Sequence, residues 1–435
     1  MNLLKLFPLF IFILSTNSYA QENAEKNQIS DATYIFTAVK NICIEDNGHL
    51  WGENLYRPTV LINTNTRFFI ANDSLPIDNC EKQKLFFTGY LPNTYAIANS
   101  TLKIDSKNYA SIRYSSNKPF DTSLYIRTFI HEMFHVFVES NIDDNIHYNN
   151  THIDTKNGRI YLQLELLALK KALTNNGTKQ MEALKEALCF RNKRQSFFPE
   201  AKENENNFEI HEGLPTYTEY CLGIFSEKMR IEVLLNMIGS EIEAESRLRS
   251  FGYSTGAAYA FLNDKSDSWR KTIFQERDLS KMTMSIYGIN TNDIDTSNLK
   301  EYLKKYDAIA IFAKEDSLEN IKEVFKKNSI EKLNNTRLLI VDLEDNSFSV
   351  TSGMVQLDSI GTYFPYMNLS GKFGYIRSKK PAVIKWTENK CFFFLDDIII
   401  ENNKSNSTEM EMEINEGFRI EKKDRFYQLT NENTN

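Results

Sequence analysis

The chain has 435 residues, 41% of them hydrophobic and 25% charged, with a formal net charge of −7. That length suits two domains rather than one core, and the composition excludes a disordered chain. The mild acidity, with no basic face or stripe, excludes a nucleic-acid binder, and none of the five cysteines forms a CxxC pair, which argues against a thiolate zinc site.

Lys5 gives a positive start, Leu6 to Leu14 is apolar, and Ser18-Tyr19-Ala20 supplies small residues for cleavage. Residues 1–20 therefore read as an export signal peptide, with the mature chain starting near Gln21 and the protein periplasmic or secreted. The apolar run is too short to span a bilayer, and no later stretch reaches that length, so no membrane span is expected in the mature chain. An odd cysteine count leaves at least one thiol free, and in an exported protein Cys43–Cys80 is the disulfide to test.

Between Ile35 and Ser116 short β-like runs alternate with turn residues, among them 67–70, 84–88 and 109–114, which predicts a sheet. A helical region follows to about Gln275. Its first helix starts at the capping residues Asp121, Thr122 and Ser123 after Pro119 and runs through Ser140. It is apolar on nearly every side, as a buried helix is. Further helices are expected over about 160–173, 179–191, from Asn206 onward, 227–239 and 253–263. After Asp278 the pattern changes: 299–306 and 318–327 read as helices, and 308–312, 337–341, 392–395 and 398–400 as strands. A second, α/β domain is expected over 280–402, with a loose polar tail over 403–435.

The chemistry concentrates on the first helix. Two of the six histidines lie in His131-Glu132-Met133-Phe134-His135. Residues four apart face one side of a helix, so both imidazoles can bind one zinc ion while Glu132 serves as general base to a water. Two unpaired imidazoles and a carboxylate on an apolar helix would otherwise be costly. A third ligand must come from a separate helix, and Glu212 is the leading candidate. Glu165, a lone carboxylate in an apolar helix, is its rival; it also reads as a carboxylate holding a ligand imidazole from behind, or as a buried partner of an arginine. Glu209 shares the supporting possibility, and His211 is a further candidate ligand. His147 and His152 fall in a polar stretch and are expected to face solvent. Tyr253, at a helix start and followed by Gly256, is the candidate to stabilise an oxyanion.

Together the HExxH, the later Glu212-Gly213 and the Tyr253-x-x-Gly256 resemble the gluzincin metallopeptidases, in particular the aminopeptidase-N-like branch. There the third zinc ligand is the Glu of an Asn-Glu-Gly motif and the transition-state tyrosine opens a Tyr-x-x-Gly helix. Here His211 stands in place of that Asn. The resemblance covers about residues 121–265 and implies Glu212 as ligand and Tyr253 as oxyanion donor. The Gly-x-Met-Glu-Asn motif of true aminopeptidases is absent, and the stretch between His135 and Glu212 is longer than in that branch. The segments Gly48-His49-Leu50-Trp51-Gly52 and 154–159 also resemble an uncharacterised group of exported bacterial proteins.

The expected protein is thus α+β: a gluzincin-like catalytic domain over 21–279, with an N-terminal sheet followed by a helical bundle, and a smaller C-terminal α/β domain. Zn2+ would sit on His131, His135 and Glu212, with Glu132 and Tyr253 acting on a peptide or protein substrate. A non-catalytic zinc-containing binding module on a peptidase scaffold, or a zinc hydrolase of non-peptide substrates, are the other readings.

Overall fold

The computed structural model describes residues 7–115, 119–141, 148–244, 246–343, 347–350, 354–357 and 359–432. The chain divides into two units, 1–308 and 309–435. Both mix helix and strand, so the protein is α+β.

The first unit opens with a long helix, α1 (Phe7–Asp46), which continues across the expected cleavage point. Lys5 and Leu6, at the start of the expected signal peptide, lie outside the described residues. Six strands follow: β1 (Thr59–Asn63), β2 (Phe68–Ala71), β3 (Glu81–Lys82), β4 (Phe87–Tyr90), β5 (Ser100–Ile104) and β6 (Lys107–Tyr114). They form one sheet in the order β3-β4-β2-β1-β6-β5. All pairs are antiparallel except β1 with β6. The C-terminal half of α1 presents buried Ala32, Ile35, Phe36 and Val39. The buried Gln28 amide donates to the carbonyls of Leu61 and Phe68, both at 3.2 Å, fixing α1 along the sheet.

Then come α2 (Thr122–Asn141), α3 (Lys156–Thr174), α4 (Gly177–Gln195), α5 (Ala201–Phe208), α6 (Leu214–Gly223), α7 (Glu227–Glu243) and α8 (Phe251–Asn263). The Asp121 carboxylate accepts the Leu124 amide at 3.0 Å and starts α2 where the sequence suggested. The short helices α9 (Trp269–Glu276), α10 (Leu279–Tyr287) and α11 (Leu299–Lys305) complete the unit. Residues 280–308, expected in the second domain, belong to the first unit. Thr283 donates to Asn263 Oδ1 at 2.7 Å, Tyr287 to the Leu262 carbonyl at 3.0 Å, and the Tyr306 hydroxyl to the buried Glu186.

The second unit holds most of α12 (Ala308–Asn335), and its remaining elements are strands. These are β7 (Leu338–Asp342), β8 (Ser347–Val350), β9 (Val355–Leu357), β10 (Gly361–Phe364), β11 (Met367–Gly371), β12 (Gly374–Ser378), β13 (Ala382–Lys385), β14 (Lys390–Phe394), β15 (Ile400–Glu401), β16 (Lys404–Ser405), β17 (Met410–Ile414), β18 (Phe418–Lys423) and β19 (Phe426–Asn431). A seven-stranded sheet, β18-β19-β7-β14-β13-β10-β9, and a four-stranded sheet, β17-β12-β11-β8, enclose one core. The other face of the larger sheet receives Ile330 and Leu333 of α12. On β14, Phe393 enters the first core while Phe392 and Phe394 enter the second, as period-two side chains must.

Four further sequence expectations change here. Residues 35–46, read as the start of the β-like stretch, are helical and end α1, whose Ile35, Phe36 and Val39 are buried at helical spacing. Residues 308–312 are helical, not a strand, because they open the long α12. The 403–435 segment is not a loose tail: it supplies β17, paired with β12, and β18 and β19, which reach β7. Only a few apolar side chains hold it, among them the buried Met410, Tyr427 and Leu429, which is why its composition reads as polar. Cys43, expected to pair with Cys80, has a free thiol, as do the other four cysteines. Thiol titration of the denatured, unreduced protein should therefore count five thiols; a count of three would mean that one disulfide forms.

Candidate metal centre

Three elements meet at His131. The helix α2 is buried through Phe129, Ile130, Met133, Phe134 and Phe137, and it carries His131 and His135 one turn apart. The Glu212 carboxylate arrives from the junction of α5 and α6. That junction is a π-helical turn, Glu209–Gly213, in which the Leu214 amide bonds to the Glu209 carbonyl five residues back. Pro215 explains the wide turn: its ring would clash with the carbonyl four residues earlier, so the regular ladder cannot run through.

The third element, α8, brings Tyr253. It approaches because glycines face glycines. A methyl group on Gly213 would stand 2.6 Å from the Gly256 Cα, and one on Gly256 would stand 2.7 Å from the Gly213 Cα. A methyl group on Gly252 would meet the Phe208 ring at 2.6 Å. The contact sets Tyr253 beside Glu212, with its ring stacked on His131 at 5.9 Å and 11°.

A loop clamps the opposite side. Gly48 and Gly52 adopt φ of 77° and 87°, the left-handed region that glycine tolerates. Between them, Trp51 packs on Phe134 of α2 at 5.0 Å and donates from its indole nitrogen to Thr218 of α6 at 3.0 Å. One side chain therefore ties α2, which carries the two histidines, to α6, which continues from the turn that carries Glu212.

The donor atoms converge. Glu212 Oε2 lies 3.5 Å from His131 Nε2 and 3.6 Å from His135 Nε2. Among the described residues, His131, His135 and Glu212 form the one group of His, Cys, Asp and Glu with metal-site spacing. The Oε2 atom is buried and has no hydrogen-bond partner, whereas Glu212 Oε1 lies 3.1 Å from His211 Nδ1. Four donors about 2.0–2.1 Å from a zinc ion in tetrahedral array stand about 3.3 Å apart. The three donor atoms all lie within 4.8 Å of one another, a set of two imidazoles and a carboxylate that could close around such an ion.

Glu219 was overlooked in the sequence. Its Oε2 lies 3.3 Å from His131 Nδ1, where it orients the ring and makes the opposite nitrogen a better donor. It follows Glu212 by seven residues, two helical turns, and that same-face spacing was the available signal.

The protein groups alone set up an unbalanced electrostatic field. Burial raises the Glu132 carboxyl to about 7, with the His131 charge opposing and Glu212 and Glu219 adding. Burial would lower His131, but Glu212 and Glu219 push it up to about 10. Burial lowers His135 to about 4, with Glu212 opposing. Burial raises the Tyr253 hydroxyl well above its ordinary range, and the nearby Glu212 charge adds to it, so it stays protonated and able to donate.

The other sequence candidates lie elsewhere. Glu165 and Glu209 do not hold a ligand imidazole; they belong to a buried ion network. Glu165 accepts from Arg191 at 3.3 Å, Arg194 at 2.5 Å and Tyr259 at 2.8 Å. Glu209 takes Arg191 on both oxygens, at 2.7 and 2.9 Å. His152, expected in solvent, is buried and lies 2.8 Å from Glu205, which also pairs with Arg194. His147 lies outside the described residues.

Compared with known proteins, the chain matches no family model, no curated protein and no solved structure. The site is therefore read from its own geometry and motifs.

Two substitutions test this construction. Gly256→Ala must part α8 from the π turn and should cost about 1–3 kcal/mol of stability, read as a lower Tm. Arg194→Ala takes one arginine from both Glu165 and Glu205 in the interior, leaving Arg191 as the one arginine of the network, and denaturant unfolding should show a loss of about 3 kcal/mol.

Proposed function

We propose that the protein is a zinc-dependent hydrolase of gluzincin type that cleaves peptide bonds, and that residues 1–20 direct its export. The observation that carries the metal assignment is Glu212 Oε2, buried, unpartnered and within 3.6 Å of both imidazole Nε2 atoms. A buried carboxylate oxygen with only the two imidazoles near it, at 3.5 and 3.6 Å, makes no close hydrogen bond, and a cation between them would satisfy all three groups. Glu132 supports a catalytic reading over a purely structural one, since a structural site has no use for a base there and is usually closed by four protein ligands.

When bound, zinc would supply Lewis acidity, polarising a scissile carbonyl and lowering the pKa of a water toward about 7. The protein's own groups would do the rest. Glu132 would take a proton from the attacking water and return it to the leaving amine. The Tyr253 hydroxyl would donate to the oxygen that gains negative charge as the carbonyl carbon becomes tetrahedral. Glu219 would keep the His131 ring in one orientation. The peptide class rests on the likeness of the three motifs to the gluzincins.

Metal analysis with a peptide-hydrolysis assay tests the proposal. Wild type should carry about one zinc per chain, Glu212→Ala should lose it, and Glu132→Gln should keep it while hydrolysis falls by at least about 100-fold. Undiminished hydrolysis in Glu132→Gln would exclude the mechanism. Zinc without hydrolysis of any peptide in wild type would favour the binding-module reading.

A further inference from the structure

We propose that His211 is a positioning residue: its ring restrains Glu212 so that the carboxylate meets a metal through one oxygen only. The inference rests on reading His131, His135 and Glu212 as a metal site. An unrestrained carboxylate can chelate a cation with both oxygens, and that second bond would occupy the position a hydrolase leaves open for water. Here the two oxygens have different surroundings. Glu212 Oε1 lies 3.1 Å from His211 Nδ1, whereas Oε2 faces the two imidazole Nε2 atoms and lacks a hydrogen-bond partner. An ionised carboxylate can only accept, so His211 Nδ1 carries the hydrogen.

The ring is itself held. Its centre lies 4.8 Å from that of His135 and 5.7 Å from that of Tyr148, and Tyr148 packs on Phe208 at 4.8 Å. The local backbone makes the contact available. Sequence neighbours on a regular α-helix do not face one another, but His211 and Glu212 sit together on the π turn. His211 thus stands to Glu212 as Glu219 stands to His131: each lies within 3.3 Å of the ligand atom that is turned away from the other candidate ligands.

The test is a cobalt(II) titration of the full chain followed by visible absorption, because band intensity distinguishes four- from five-coordinate cobalt without any activity assay. Wild type should bind about one cobalt with an intense four-coordinate spectrum. His211→Leu, which keeps bulk and removes the donor, should bind about 10–100-fold more weakly, with a weaker five-coordinate band. His211→Asn should restore both, because its amide nitrogen branches from Cγ where Nδ1 does. If His211→Leu fails to fold by circular dichroism, His211→Gln, whose donor is displaced by one methylene, carries the same expectation. Wild-type affinity and spectrum in His211→Leu, or an Asn variant as weak as the Leu variant, would overturn the role of His211 and leave the metal site standing. Failure of wild type to bind cobalt, or equal binding by Glu212→Ala, would overturn the metal site and this inference with it.

Discussion

The candidate site depends on a place where two backbones touch. Side chains normally keep helix axes 8–10 Å apart, and a single methyl at Gly213 or Gly256 would restore that spacing. With neither present, α8 and the π turn meet Cα to Cα, and Glu212 and Tyr253 come to the same point from different helices. The glycines of the Glu-Gly and Tyr-x-x-Gly motifs thus do one job from two sides. Trp51 does the complementary one, locking α2 to α6 from behind.

Behind the ligands the unit buries a second polar cluster that has no part in the proposed chemistry. Glu165, Glu205 and Glu209 share Arg191 and Arg194, with His152, Asn206 and Tyr259 at the edges. Burial alone would raise Glu205, but Arg194, His152 and Arg191 together hold it well below the ordinary carboxylate range. Buried ions seldom add net stability over an apolar core, but they are unforgiving of misplacement. Glu205 and Glu209 lie just before Glu212 in the same continuous run, so the network fixes the rotation and height at which that run enters the site.

Much of this was legible in the sequence where a pattern is local. The HExxH, its helix and its Asp121 cap follow from spacing and end chemistry alone. Glu212 and Tyr253 could be named because each carries a neighbouring glycine whose use is steric. Partnership across distance was not legible. Glu165 read either as the supporter of a ligand or as the partner of an arginine because a lone carboxylate on an apolar helix needs a cation, and sequence does not say whether that cation is a metal or an arginine from α4; Glu209, beside Glu212 in an acidic stretch, shared the first reading. His152 looked exposed because its neighbours are polar, yet those neighbours form a short turn that buries it against Glu205. The C-terminal strands were missed for a related reason: an apolar residue at every second position among glutamates, as in Met410-Glu411-Met412-Glu413-Ile414, where only Met410 is fully buried, suffices for a strand that pairs along a sheet and resembles linker when averaged.

The π turn has a consequence for how this chain can change length. Five residues occupy what would otherwise be one α-helical turn, so α5 and α6 are one residue out of phase, about 100° of rotation. Before the turn and at its first residue, Glu205 and Glu209 point at arginines; later in it and beyond it, Glu212 and Glu219 point at histidines. Excising one residue from 209–213 would leave a smoother helix with both partnerships unable to hold at once. The irregularity works as a gearing between two sets of charges, and a residue lost or gained within it would turn one set away from its partners.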